Sequence, residues 1–221
     1  MKKILIRLGW VAGTLGLLCF DLLPSYVSQV TSGLYADMRI SESINVLVLI
    51  LVVAVFILLG CQLKLYSFKK ISGKHFWLTL ITSYAIVRAL TAIGTVLTTY
   101  LSKGQLANQD ALTSWLENIP VFTLLYVAIG APIMEEIVFR GMIFKYWFPN
   151  HPYWALGVSS VLFFLAHGSF TPGGFVIYGG MGLVFGWVYH YSGRLEYSTA
   201  LHMLNNTIAA VTMLLVALIQ G

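Results

Sequence analysis

Seven apolar stretches, each close to the length of a bilayer span, leave this chain few ways to fold. They run over about residues 5–27, 44–65, 76–101, 120–147, 153–170, 174–192 and 196–220, and a helix needs ~20 such residues to cross the hydrocarbon core. Ile44 to Cys61 carries no charge at all. Of the 221 residues, 58% are apolar and only 10% are charged, against ~25% charged in soluble domains. The pattern predicts an all-α, polytopic transmembrane helix bundle of about seven spans. No Pro/Gly/Ser linker, low-complexity block or internal repeat divides it, so residues 1–221 are expected to form a single membrane domain.

The basic residues report topology. Lys2, Lys3 and Arg7 precede the first span, Lys64, Lys69, Lys70 and Lys74 follow the second, and Lys145 and Arg194 flank later loops of the same side. The opposite loops hold Arg39 and Lys103, a tally of nine against two, with Arg88 and Arg140 left inside spans. The positive-inside rule then predicts a cytoplasmic N-terminus and a multi-pass protein of the cytoplasmic membrane, in contact with its lipids. The net charge of +5 is accounted for by this asymmetry and leaves no nucleic-acid footprint. The first stretch resembles a signal peptide but has no small-x-small cleavage site before Asp21 and Pro24, so an uncleaved span is expected. Cys19 and Cys61 lie within spans and read as packed thiols rather than a disulfide.

Smaller features complete the outline. Tyr26, Tyr66, Trp77, Tyr100, Trp147, Trp154, Tyr189 and Tyr197 fall near span ends, as an aromatic belt does. Gly9-x-x-x-Gly13 and Gly182-x-x-x-Gly186 permit close helix approach. Residues 104–119 place Leu112, Trp115, Leu116 and Ile119 at helical spacing among polar residues, the pattern of a short amphipathic helix on the outer surface, with an irregular loop as the alternative.

Charges inside the spans are the functional signal. Each ionised side chain at the bilayer centre costs about 2.5–3.5 kcal/mol even on insertion scales, whereas a Leu or Ile returns about 0.3–0.6 kcal/mol. Glu135, Glu136 and Arg140, in Ala-Pro-Ile-Met-Glu-Glu-Ile-Val-Phe-Arg-Gly from Ala131 to Gly141, must therefore face a protein interior or a wet cavity. Asp21, beside Pro24 at a helix end, is expected to snorkel to the interface; Arg88, deeper, is expected to face the bundle.

Two later spans supply polar partners: Phe163-Phe-Leu-Ala-His167, and His202-Met-Leu-Asn-Asn206. Helical geometry sorts them. Glu136 and Arg140 are i, i+4 neighbours with the acid N-terminal, the favourable order for an intrahelical ion pair. Glu135 lies about 100° round the helix and lacks that partner. A lone carboxylate in a poorly solvated pocket suits general-base work near neutral pH. His202 and Asn206 are again i, i+4, and an imidazole and a carboxamide on adjacent turns are suitable donors to a developing oxyanion. Glu135 lies fourteen residues before Pro149 and His167 fifteen after Pro152, so a helical hairpin closed at these prolines would bring the two to similar depth. His202 lies only a turn or two past the Arg194/Glu196 loop and should be shallower, unless its span is tilted or its neighbours protrude.

Glu-Glu-x-x-x-Arg, then Phe-x-x-x-His, then His-x-x-x-Asn, in this order on successive spans, resembles the CAAX protease and bacteriocin-processing (CPBP, or Abi) intramembrane endopeptidases. The resemblance covers about residues 120–210. It implies that Glu135 with His167 activates the attacking water, that His202 and Asn206 form the oxyanion hole, and that Glu136 and Arg140 hold the site or touch substrate. The first 110 residues carry no such signature and leave substrate choice open. The family implies a peptide or C-terminal tail as substrate, prenylated CAAX tails in eukaryotes; a short chain with sparse loops points instead to a bacterial peptide such as a bacteriocin precursor.

Two schemes share these residues. In the preferred one a glutamate-activated water acts with no metal or other cofactor. In the other, Glu135, His167 and His202 bind zinc as a His₂Glu site; no His-Glu-x-x-His pair supports it. A non-catalytic bacteriocin-immunity or peptide-binding membrane protein is the alternative from another class. A transporter, with the same groups as a proton relay, is a third.

Overall fold

The computed structural model describes residues 2–35, 37–67, 73–101 and 121–220. Their regular structure is helical throughout, and they contain no strand. Helices α1 (Lys2–Asp21) and α2 (Leu23–Leu34) form one bent unit, α3 is Met38–Gln62, and α4 is Gly73–Leu101. Helix α5 is Val121–Trp147, α6 is Pro152–Ala166, α7 covers residues 172–192, and α8 is Leu195–Gln220. The expected amphipathic segment at 104–119 lies outside the described residues.

All seven apolar stretches fold as helix, yet they are not equivalent. Among the described residues five helices are long and apolar enough to cross a membrane: Leu5–Leu34, Met38–Gln62, Gly73–Leu101, Val121–Trp147 and Leu195–Val216. Helix α6 has 15 residues, about 22 Å at ~1.5 Å per residue, short of a ~30 Å core. It stops at Ala166. The stop is written in Gly168, whose φ of +62° suits glycine, and whose amide closes the last turn on the Leu165 carbonyl. His167 is thereby set at the C-terminal end of α6, just before α7 begins its return.

Helix α5 is the axis of the bundle, packed by α1, α3, α6 and α8. From Ile137 to Phe144 every residue is buried, so this stretch has no lipid face. Its hydrogen bonding changes along its length: residues 126–130 and 137–147 are π-helical, separated by the α-helical turn Ala131–Glu136. Such wide turns are rare and cluster at functional sites. Helix α7 packs against α4, α6 and α8, and it too contains a π-helical turn, Phe175–Gly179. Gly182 sets the α6–α7 approach, since a Cβ there would stand 2.8 Å from the Ser160 Cα. The other glycine pair does not act this way: nothing lies within 4 Å of a Cβ at Gly9 or Gly13.

One end of the bundle gathers the basic segments. Lys145 Nζ donates to the carbonyls of Leu63 and Lys64 at 2.7 and 2.9 Å. Trp10 stacks on Tyr146 at 4.0 Å, and the Ser67 amide donates to Glu196 Oε1 at 3.0 Å. The start of α1, the α3 exit, the α5 end and the α8 start therefore share one face, the face to which the charge tally assigns nine cations.

Four expectations are corrected. Asp21 does not snorkel: it is 7% exposed, and its Oδ1 has no hydrogen-bond partner. Arg88 does not face the bundle: it is exposed, because α4 buries Leu80, Ser83, Val87 and Gly94 and these centre the packed arc away from it. Cys19 is exposed rather than packed, and among the aromatic-belt residues Tyr197 is core, edge-on to Phe76 at 5.0 Å.

Candidate active site

The charged triplet divides as helical geometry predicts. Glu136 Oε1 and Arg140 Nη1 are 2.8 Å apart, and neither side chain is exposed. Arg140 Nη2 also donates to the Gly182 carbonyl at 3.2 Å, fastening α5 to α7. Its guanidinium carbon lies 4.6 Å from the Phe163 ring centre and 5.4 Å from that of Phe185. A buried cation is thus held by one anion, one carbonyl and two π faces, the combination that makes its burial tolerable.

His202 enters the same group. Its Nδ1 is 3.1 Å from Glu136 Oε1, and a carboxylate only accepts, so Nδ1 is the donor. Glu136 therefore serves two cationic or donor groups at once. The depth mismatch expected for His202 is removed within α5. The 11 π-helical residues from Ile137 to Trp147 advance less along the axis than an α-helix would, which raises Glu136 toward the shallow His202. The imidazole stacks on Phe185 at 4.7 Å and meets Phe163 edge-on at 5.7 Å.

Glu135 stands apart. Its Oε2 is buried with no hydrogen-bond partner, it lies 4.0 Å from His202 Nε2, and the side chain as a whole is 16% exposed. A separation of 4.0 Å between two polar atoms is too long for a direct hydrogen bond and suits a bridging water. Beyond it, Glu135 lies within electrostatic reach of Asp21.

His167 is fixed by its own helix: Nδ1 is 2.7 Å from the Phe163 carbonyl. A carbonyl only accepts, so Nδ1 carries the proton and Nε2 of the neutral ring keeps its lone pair. The ring stacks on Tyr178 at 4.3 Å and lies 4.4 Å from Phe163. No hydrogen bond joins it to Glu135 among the described residues; Phe163 is the wall that His167, His202 and Arg140 share. Asn206 donates from Nδ2 to the Val127 carbonyl at 3.1 Å, and its Oδ1 accepts from Asn205 Nδ2 at 3.2 Å. Its orientation is thus set, with one amide hydrogen left to give. Among the described residues no three His, Cys, Asp or Glu side chains are grouped closely enough to hold a metal ion.

All six singled-out residues fall in this region, with Glu136, Arg140 and His202 in direct contact and Glu135 facing His202. Motif reading missed Phe185, Tyr178, the Val127 carbonyl and Asp21. The first three have no spacing signal, since each matters only through the packing of α5, α6, α7 and α8. Asp21 did carry one, an acid inside an apolar run.

Known proteins are similar to part of this chain. Residues 117–208 match the family model of type II CAAX prenyl endopeptidase Rce1-like proteins. The motif resemblance is borne out over this segment. The chain is similar to the membrane-embedded CAAX protease MroQ of Staphylococcus aureus, with 32% identity over 142 residues, 60% of this chain and 56% of MroQ. It is 27% identical over 144 residues to the UPF0177 protein YvdC of Lactococcus lactis, covering 64% of this chain and 55% of that protein. It is also 27% identical over 108 residues to the putative membrane peptidase YdiL of Bacillus subtilis, covering 48% and 43% respectively. The chain spans about half the length of these relatives. No solved structure matches. This is a membrane protein carrying a CAAX-endopeptidase-like segment on α5 to α8.

Proposed function

We propose that this protein is a membrane endopeptidase in which Glu135 activates water for attack on a peptide carbonyl. The carrying observation is the unpartnered, buried Glu135 Oε2, set 4.0 Å from His202 Nε2 beside a Glu136 already engaged by Arg140 and His202. Of two adjacent carboxylates, one is held in place by its partners and the other is free to take a proton.

In the proposed reaction a water between Glu135 and the free Nε2 of His167 loses a proton to this base pair as its oxygen bonds to the carbonyl carbon. The carbonyl oxygen becomes an oxyanion, which His202 and the remaining amide hydrogen of Asn206 stabilise. The carbon–nitrogen bond then breaks, and the proton passes from the base to the leaving amine. His202 Nδ1 is spent on Glu136, so donation from Nε2 requires a doubly protonated ring. Glu135, Glu136, Arg140 and His202 then form a charge-neutral quartet, which supports this assignment in a buried setting.

The substrate class is a peptide or a C-terminal tail reached from the membrane, and the membrane is taken as the cytoplasmic one. Glu135→Gln keeps size and hydrogen bonding and removes the base. Peptide cleavage by the full chain in proteoliposomes, followed by mass spectrometry, should fall by at least about 100-fold. Cleavage at the wild-type rate would leave the peptide-binding or immunity reading. The metal-free scheme carries its own test: purified protein should cleave in the presence of EDTA, and loss of cleavage restored by zinc would replace it with the His₂Glu scheme.

A further inference from the structure

One buried acid has no part in the reaction as drawn. Asp21 ends α1, shortly before Pro24; it is 7% exposed, and its Oδ1 has no hydrogen-bond partner. No cation among the described residues pairs with it. The segment that matches the endopeptidase family begins at residue 117, so that likeness assigns Asp21 no role. Its place in the fold does. Helix α1 packs against the Ala131–Glu136 turn of α5. Asp21 lies within electrostatic reach of Glu135, and Tyr126 of α5 is within reach of both carboxyls. Glu135 Oε2 is orphaned in the same way as Asp21 Oδ1. Two buried carboxyls thus share one neighbourhood, each with an oxygen to which nothing donates.

Charge selects the protonation state that such a pair can hold. The other charged and titratable groups about Glu135 are Glu136, Arg140 and Tyr126 on its own helix, His167 on α6, Tyr178 on α7 and His202 on α8. With His202 doubly protonated, Glu135, Glu136, Arg140 and His202 already sum to zero. An ionised Asp21 would add an unpaired negative charge to a buried group, beside a like charge. A protonated Asp21 adds no charge and turns an orphan acceptor into a donor. Such a donor, acting directly or through one water, satisfies Glu135 Oε2 and leaves the other oxygen to face the attacking water. We infer that Asp21 carries a proton in the resting protein and directs it as a hydrogen bond toward Glu135 Oε2, a positioning residue for the general base that α1 supplies from outside the family segment. The inference rests on Glu135 being that base.

Two readouts test it on the full chain in lipid. The first is infrared spectroscopy and needs no substrate. At neutral pH, protein isotope-labelled at its aspartate carboxyls should show the band of a protonated carboxyl moved by the label, and Asp21→Asn should remove that band. Glu135→Gln should raise its frequency, since a neutral acceptor takes a weaker hydrogen bond than a carboxylate; an acid that only supports the fold would not respond. No such band, a band moved by labelled glutamate instead, or one indifferent to Glu135→Gln would each overturn the inference. The second readout is turnover. Asp21→Asn keeps a donor and should hold kcat within about 3-fold, whereas Asp21→Leu should lower kcat at least about 10-fold with KM unchanged. An Asn variant as slow as the Leu variant, or a Leu variant with full turnover, would also sink it. The band is read without cleavage, so absence of the Asp21–Glu135 bond is told apart from failure of Glu135 as base, which shows only as wild-type cleavage by Glu135→Gln.

Discussion

Glu136 is the residue on which the site balances. Its carboxylate meets Arg140 at 2.8 Å and His202 at 3.1 Å with no exposure to solvent. Removing the charge leaves a fully buried guanidinium with a carbonyl and two rings, but without its counter-ion. Breaking a buried pair from one side costs about 3–5 kcal/mol, far more than a surface ion pair is worth. Glu136→Gln should therefore lower stability by about that amount in thermal unfolding of the detergent-solubilised protein. Glu135→Gln should leave it nearly unchanged, since Glu135 Oε2 has no partner to lose. The two adjacent glutamates thus separate by assay, one through stability and the other through turnover. Their division was legible in the sequence because i, i+4 spacing is a local property of one helix. The hydrogen bond from His202 was not, because 66 residues separate it from Glu136.

At the scale of elements, the site depends on two helices that do not behave as regular spans. Helix α6 ends at Gly168, and α7 returns against it through the Gly182–Ser160 approach. A side chain at position 182 meets backbone and not the far end of a flexible group, so the helices must part. The Gly182 carbonyl is also the acceptor for Arg140, and parting the helices lengthens that bond. Gly182→Leu should lower stability by about 1–3 kcal/mol, and cleavage should fall further than in Gly9→Leu, where the space is open. Apolar stretches announce helices well, and all seven formed. Their rank as spans was harder to read, because α6 carries the composition of a span without its length. The π-helical turns of α5 had no sequence mark either. A wide turn persists only where neighbouring helices fill the space around it, and α5 is enclosed by four.

At the scale of the molecule, the basic residues give an orientation that can be checked directly. Cysteines introduced at Lys64 and Arg194 should react with a membrane-impermeant maleimide only in inside-out vesicles, and one at Arg39 only in right-side-out vesicles. The reverse pattern would place the N-terminus outside. The bonds from Lys145 to the α3 exit and from Ser67 to Glu196 already hold the first two positions at one end. The sequence alone determined that the chain is a helical membrane protein, and that Glu136 pairs with Arg140 while Glu135 does not. These follow from composition, from period and from motifs, which are local. Packing between helices fixed the rest: His202 lies on Glu136, Phe163 walls three site residues, Asp21 is buried and Arg88 looks outward. Each of these depends on how far helices rotate and slide against one another. A single helix carries its periodicity in its residues, but which face meets which neighbour is settled by the packing of all of them together.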